Sequence, residues 1–252
     1  MNSWLNGQPG ILAHMRTTGI ELGFFASRDE TGPVPGVVMI HDVWGLTDHT
    51  RDLATRLAGE GFAVLALDLY RRLGDVKIEN PGAWMRGLSD PQILGDAQAG
   101  IDFLAAQPAT QGSRIGITGF CMGGMYALMA GCSCTGLSAS VPFYGLLSHR
   151  HGILYDEQGL DPALKPREPL DAVRDLSCPT LAFFGDQDEF IPLADIEQLR
   201  ARMAETGQPA EAVVYPGAGH AFMNDTRPDA FRPDDAADAW AKMVEFLRKR
   251  LG

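Results

Sequence analysis

A thiol at Cys121, a carboxylate at Asp188 and an imidazole at His220 are the residue types that together attack a carbonyl carbon, and their order along the chain suits that chemistry. Cys121 lies within Gly119-Phe-Cys-Met-Gly-Gly124, between a β-type run ending at Gly119 and a helical pattern that starts at Met122 and continues through Met125, Tyr126, Leu128 and Met129. A strand turning this sharply into a helix strains the corner residue and lifts its side chain clear of both elements. Glycines at 119, 123 and 124 leave strand, turn and helix free to approach closely. The helix N-terminus favours a thiolate at Cys121, and the Met122 N–H is placed to donate to a developing oxyanion.

The acid and base follow at the same sheet edge. An apolar strand over 179–184 runs into Gly185-Asp-Gln-Asp188-Glu-Phe-Ile-Pro192, and the next strand ends in Tyr215-Pro-Gly-Ala-Gly-His220-Ala-Phe222. Ligands and catalytic groups gather at the carboxyl ends of strands in open α/β sheets. Asp186 competes with Asp188, which is preferred because it lies further past the strand end with Ile191-Pro192 fixing the loop behind it. Nucleophile, acid, histidine is the order of an α/β-hydrolase triad. In that arrangement His220 takes the thiol proton and returns it to the leaving group, while Asp188 holds the imidazole in the useful tautomer. The second oxyanion donor is expected in the loop after an earlier strand, where His41-Asp-Val-Trp-Gly-Leu46 follows the run 37–40 and offers the Val43 N–H. Asp42 beside it would hang a carboxylate over the nucleophile as a gate on the thiol. Its plainer role is to cap the coming helix, which Thr47 or Asp48 already serves.

The elements that must hold these groups alternate. A hairpin is expected over 11–27 and a turn-rich stretch over 29–36, then strands at 36–41, 62–69, 114–118, 137–144, 180–185 and 212–215. Helices are expected over 47–60, 92–106, 194–206 and 234–248, besides the one beginning at Met122. Strands alternating with helices predict right-handed crossovers and a mostly parallel sheet covered on both faces, an α/β fold in one domain over 1–252. The pattern fails over 71–90, read as an excursion over the sheet edge that contacts substrate, and over 147–169, read as a loop.

Composition excludes several classes. A formal net charge of −11 over 252 residues argues against nucleic acid or an anionic membrane as partner. No apolar run approaches a membrane span, and the first ten residues are polar and broken by Gly7 and Pro9, unlike a secretion signal. Four cysteines, one of them committed to chemistry, do not make a disulfide scaffold, so a reducing cytoplasm is expected. Cys132, Cys134 and Cys178 have no metal-ligand spacing and read as buried thiols. His14, His149 and His151 fall outside any site pattern, and His49 lies near the start of a helix.

The segments around Cys121, His41-Asp-Val-Trp-Gly-Leu46, Asp68-Leu-Tyr70, Gly185-Asp-Gln-Asp188 and Gly217-Ala-Gly-His220-Ala-Phe222 together resemble the dienelactone hydrolase (carboxymethylenebutenolidase) family, in motif order and over nearly the whole chain from Gly36. That resemblance implies an α/β-hydrolase fold, a triad of Cys121, His220 and Asp188, and hydrolysis of an enol-lactone ring without cofactor; the wider reading is a hydrolase of a lactone or ester carbonyl with no metal. The chain departs from the family in carrying Asp42 where glutamate is usual and Asn224 where a substrate-binding arginine is expected. Substrate contacts are expected from Trp44, Tyr70, Trp84 and Phe222, with Arg71, Arg72, Arg86 and Arg227 as candidates to hold an anionic group. A broader carboxylesterase or thioesterase remains the alternative among enzymes, and a ligand-binding or redox-sensing protein the alternative outside them.

Overall fold

Short apolar runs alternating with amphipathic ones lay down strands and crossover helices in turn. The computed structural model describes residues 15–28 and 32–252, so positions 11–14 of the expected hairpin and 29–31 of the turn-rich stretch lie outside the described residues. The strands are β1 (Met15–Ile20), β2 (Gly23–Arg28), β3 (Gly36–Ile40), β4 (Ala63–Leu67), β5 (Ile115–Phe120), β6 (Leu137–Phe143), β7 (Thr180–Gly185) and β8 (Ala210–Tyr215). The helices are α1 (Asp48–Gly59), α2 (Pro81–Gly87), α3 (Asp90–Ala106), α4 (Met122–Ser133), α5 (Pro169–Ala172), α6 (Leu193–Glu205) and α7 (Pro233–Leu251).

All eight strands form one sheet in the order β1-β2-β4-β3-β5-β6-β7-β8. β1 and β2 pair antiparallel, as do β2 and β4, while every pairing from β4 through β8 is parallel. Strands covered on both faces have no reason to alternate, and β3, β4, β5 and β7 are buried at every position. α4 is likewise apolar all round, which suits a helix packed between β5, β6 and its helical neighbours.

The excursion at 71–90 contains α2, which the sequence reading missed. The Asn80 side chain accepts the Ala83 N–H and Pro81 occupies the first turn, both helix-start signals. Gly82 reads as a turn in sequence but is a point of close approach: a Cβ there would stand 2.8 Å from the Ile153 carbonyl oxygen. The 147–169 segment is irregular, as expected, and is tied to α3 and α4 by a buried ion pair. Lys165 Nζ lies 2.5 Å from Asp90 Oδ1 at the start of α3, and the Tyr126 hydroxyl on α4 donates to the same oxygen at 2.7 Å. α7 runs past the expected 248 to Leu251, where Arg248, Lys249 and Arg250 complement the negative end of the helix.

Candidate active site

The β5–α4 corner has the geometry the sequence requires. Cys121 adopts φ 56° and ψ −118°, a conformation costing on the order of 1–3 kcal/mol for a residue with a side chain. It is held by its N–H to the Phe143 carbonyl (3.1 Å) and by the Met125 N–H donated to its own carbonyl (3.0 Å). A Cβ on Gly119 would stand 2.1 Å from the Gly123 oxygen, and one on Gly123 2.2 Å from the Ile40 oxygen, so neither position admits a side chain.

Loops leaving β7 and β8 bring the acid and the imidazole together. His220 Nδ1 lies 2.8 Å from Asp188 Oδ2, and Asp188 Oδ1 accepts the Phe190 N–H at 2.9 Å. Asp186 is engaged elsewhere, accepting the Gly217 N–H at 2.6 Å. The Tyr144 and Phe190 rings stand edge-on to His220 with centroids at 5.2 and 5.0 Å. His220 Nε2 is buried with no hydrogen bond of good geometry, although the Cys121 sulfur is close enough for its charge to act on the ring. Burial works against the imidazolium. The charge at Cys121 and the Asp188 bond outweigh it and raise the His220 pKa to about 10.

Because only the carboxylate bonded to the ring can fix its tautomer, Asp188→Asn is expected to lower kcat by orders of magnitude, whereas Asp186→Asn, which keeps an acceptor for Gly217, costs little. Steady-state kinetics of the two variants check this, and the reverse order would transfer the role to Asp186.

The loop after β3 is fixed by His41, which the sequence reading treated only as a strand end. Its Nε2 accepts the Leu69 N–H at 3.2 Å, which leaves Nδ1 to donate to the Asp42 carbonyl at 2.6 Å. Burial lowers the His41 pKa to about 4, so the ring stays neutral. Tyr70 donates its hydroxyl to the Val43 carbonyl at 2.9 Å, and Asp42 Oδ1 accepts the Trp44 N–H at 2.9 Å. The Val43 N–H has no partner among the described residues, and Met122, as the first residue of α4, has no intrahelical acceptor for its own.

Asp42, Trp44, Cys121, His220 and Arg227 border one cleft. Trp44 is 49% exposed at its mouth, and Arg227 keeps a half-exposed guanidinium 3.6 Å from Asp229. The other expected substrate contacts lie elsewhere. Arg71 and Arg72 both grip Asp96, at 2.7 and 2.8 Å. Arg86 donates to the Ile153 carbonyl at 2.9 Å and stands 3.3 Å from Asp156. Tyr70 and Trp84 pack edge to face at 5.5 Å behind the Val43 loop, and Phe222 is wholly buried against Tyr144 and Tyr215. Instead Phe120, Tyr144 and His49, none of them singled out by sequence for this role, line the cleft together with Asn224, which stands where a substrate-binding arginine was expected. Phe120 and Tyr144 could have been found from their positions at the carboxyl ends of β5 and β6.

Cys132, Cys134 and Cys178 are free and buried, and burial pushes their thiols up to about 12, 11 and 11. Among the described residues no cluster of three or more His, Cys, Asp or Glu is arranged to hold a metal ion, and no helix is long and apolar enough to cross a membrane.

A parallel sheet in this strand order, with a strained residue at the β5–α4 corner facing a histidine from the β8 loop, defines an α/β-hydrolase. The model of the "Dienelactone hydrolase family" matches residues 22–251, and the chain belongs to that family of carboxylic ester hydrolases. The "Putative carboxymethylenebutenolidase" of Methylorubrum extorquens is 31% identical over 236 residues, covering 92% of this chain and 77% of that protein. The Bradyrhizobium protein named "Probable 2-oxo-3-(5-oxofuran-2-ylidene)propanoate lactonase" is 33% identical over 233 residues, covering 91% of this chain and 90% of its own. A crystal structure of a "Putative Dienelactone Hydrolase" from Klebsiella pneumoniae superposes with TM-score 0.81 at 30% identity, over 93% of this chain and 98% of that one.

Proposed function

We propose that the protein hydrolyses a lactone or ester through a covalent intermediate on Cys121, using Cys121, His220 and Asp188 and no cofactor. The Cys121 thiol gives its proton to His220 Nε2 as the sulfur attacks the carbonyl carbon, and the oxyanion so formed is met by the N–H groups of Met122 and Val43. His220 donates its Nε2 proton to the departing alkoxide as the tetrahedral species collapses to a thioester. The neutral ring then removes a proton from water, which attacks the thioester and frees the acid. The observation that carries this reading is the His220–Asp188 contact at 2.8 Å, which leaves Nε2 as the nitrogen available to Cys121. A pure binder or redox sensor needs no imidazole held in that way. Four free cysteines suit a reducing cytoplasm, where the nucleophile stays a thiol.

Arg227 supports an anionic substrate, since the other three arginines put forward for that purpose are engaged with Asp96, Ile153 and Asp156. The name of the Bradyrhizobium relative, a propanoate lactonase, agrees with this charge. The test is a panel of carboxylated lactones and neutral aryl esters. The wild type should turn over both classes, and Arg227→Ala should raise KM for the lactones about tenfold while leaving the esters unaffected. Equal effects on both classes remove the charge argument, and no turnover of either refutes the hydrolase reading.

Asp42 acts in this scheme as a gate on the thiol. Its Oδ1 is occupied by the Trp44 N–H, and Oδ2 has no partner among the described residues. Burial raises the Asp42 pKa, while the Trp44 N–H, His220 and Arg227 oppose the rise, so the carboxylate is a ready acceptor for a thiol proton. Its negative charge disfavours the Cys121 thiolate that His220 favours. Asp42→Asn keeps the acceptor for Trp44 and removes the charge, so the pH profile of Cys121 alkylation by iodoacetamide should move to lower pH. An unchanged profile leaves Asp42 only its turn-forming bond to Trp44.

A further inference from the structure

A second imidazole borders the cleft of Cys121 and His220. His49, in the first turn of α1, lines that cleft and also the outer groove beside Trp44 and Arg227. Its Nδ1 stands 3.3 Å from Asp225 Oδ1, an ion-pair distance with the geometry off line for a hydrogen bond. Asp225 Oδ2 in turn accepts from Arg56 at 3.0 Å, and Arg56 also pairs with Asp52 one turn along α1. The His49, Asp225 and Arg56 side chains are only 11%, 3% and 9% exposed, so the pair is built into the wall of the cleft. A carboxylate beside Nδ1 favours the tautomer that carries its proton there. Nε2 is then an acceptor, and it has no partner among the described residues.

Burial lowers the His49 pKa, Arg56 adds to that effect, and Asp225 and Asp52 oppose it. A neutral ring is no site for an anion, and its open lone pair calls for a group that donates a hydrogen. The part of the substrate within reach is the acyl portion, which stays bonded to Cys121 through the thioester stage and so remains in the cleft that His49 lines.

We propose that His49 is a specificity-determining residue that accepts a hydrogen bond from a hydroxyl on the acyl portion of the substrate, selecting hydroxylated esters or lactones over their deoxy counterparts. This rests on the hydrolase reading for its reaction, though not for its binding contact. A site built to pair a substrate hydroxyl rejects the analogue that lacks it, because the acceptor, once covered by the bound substrate, is then left unpaired.

The experiment compares phenyl butanoate with its 2-hydroxy and 3-hydroxy derivatives. The wild type should favour one hydroxylated ester by about tenfold or more in kcat/KM. His49→Phe should abolish that preference by lowering kcat/KM for the favoured hydroxy ester more than for phenyl butanoate. His49→Gln, whose amide oxygen accepts, should restore part of the preference. The proposal is overturned by a wild type without preference, by a preference that survives in His49→Phe, or by equal loss on all three esters, which would mark His49 as a support for α1. The same comparison read as binding, with butanoate and its 2-hydroxy and 3-hydroxy acids titrated calorimetrically into Cys121→Ala and Cys121→Ala/His49→Phe, needs no turnover. An absence of hydrolysis therefore counts against the reading of Cys121, while the binding comparison still decides for or against His49.

Discussion

Cys121→Ala and His220→Ala should each lower kcat/KM on the order of 10³-fold or more, and the double variant should be little worse than either alone. In the proposed mechanism the sulfur bonds to the acyl group and His220 carries its proton to the leaving group, so removing either should stop the same step. Groups that act as one unit show this non-additivity, because the activity left after the first loss comes from binding and the oxyanion donors alone. The electrostatics agree with such a unit: the charge at Cys121 and the bond to Asp188 raise the His220 pKa to about 10, against the effect of burial. Kinetics of both single variants and the double settle the matter. Losses that multiply would mean two independent contributions and a different role for one of the residues.

Lys165→Met should destabilise the fold by about 3–5 kcal/mol, the cost of leaving a buried charge without its partner. The Lys165 and Asp90 side chains are 0% and 1% exposed, and Asp90 Oδ2 already has no hydrogen bond, so the carboxylate depends on Lys165 and the Tyr126 hydroxyl. For a domain of this size the loss corresponds to a fall in Tm of roughly 10 °C, measurable by calorimetry. Adding Asp90→Asn, which removes the stranded charge and keeps an acceptor for Tyr126, should recover part of the loss. A double variant no more stable than Lys165→Met would show that packing of the lysine chain, rather than its charge, holds the 147–169 segment to α3 and α4.

What could be read from sequence is what the backbone itself demands. The corner at Cys121 needs small residues where strand and helix meet, and the glycines at 119 and 123 show that need without any knowledge of the fold. Asp188 could be separated from Asp186 because the loop had room to turn only past the strand end; the Gly217 N–H then occupies the nearer carboxylate. The hairpin and the parallel sheet followed from period and order. The arginines failed for the opposite reason: Asp96 sits on α3, more than twenty residues beyond Arg71 and Arg72, and no local pattern announces that one carboxylate will hold both. Phe222 was misread because a large aromatic beside a catalytic loop looks the same in sequence whether it faces the cleft or the core. His49 was passed over because its carboxylate, Asp225, arrives from a loop beyond β8, and α2 because Pro81 and Gly82 look like turn residues.

The central claim is that Cys121 carries the acyl group between the two halves of the reaction. The most direct test is to mix the wild type, and the slowly deacylating Asp188→Asn, with an aryl ester, quench in acid within the first turnovers, and map the protein by mass spectrometry. The account predicts an added acyl mass confined to the peptide containing Cys121, released by hydroxylamine as a thioester should be. An acyl group on any other residue, or continued turnover with Cys121 unmodified in both proteins, would contradict it.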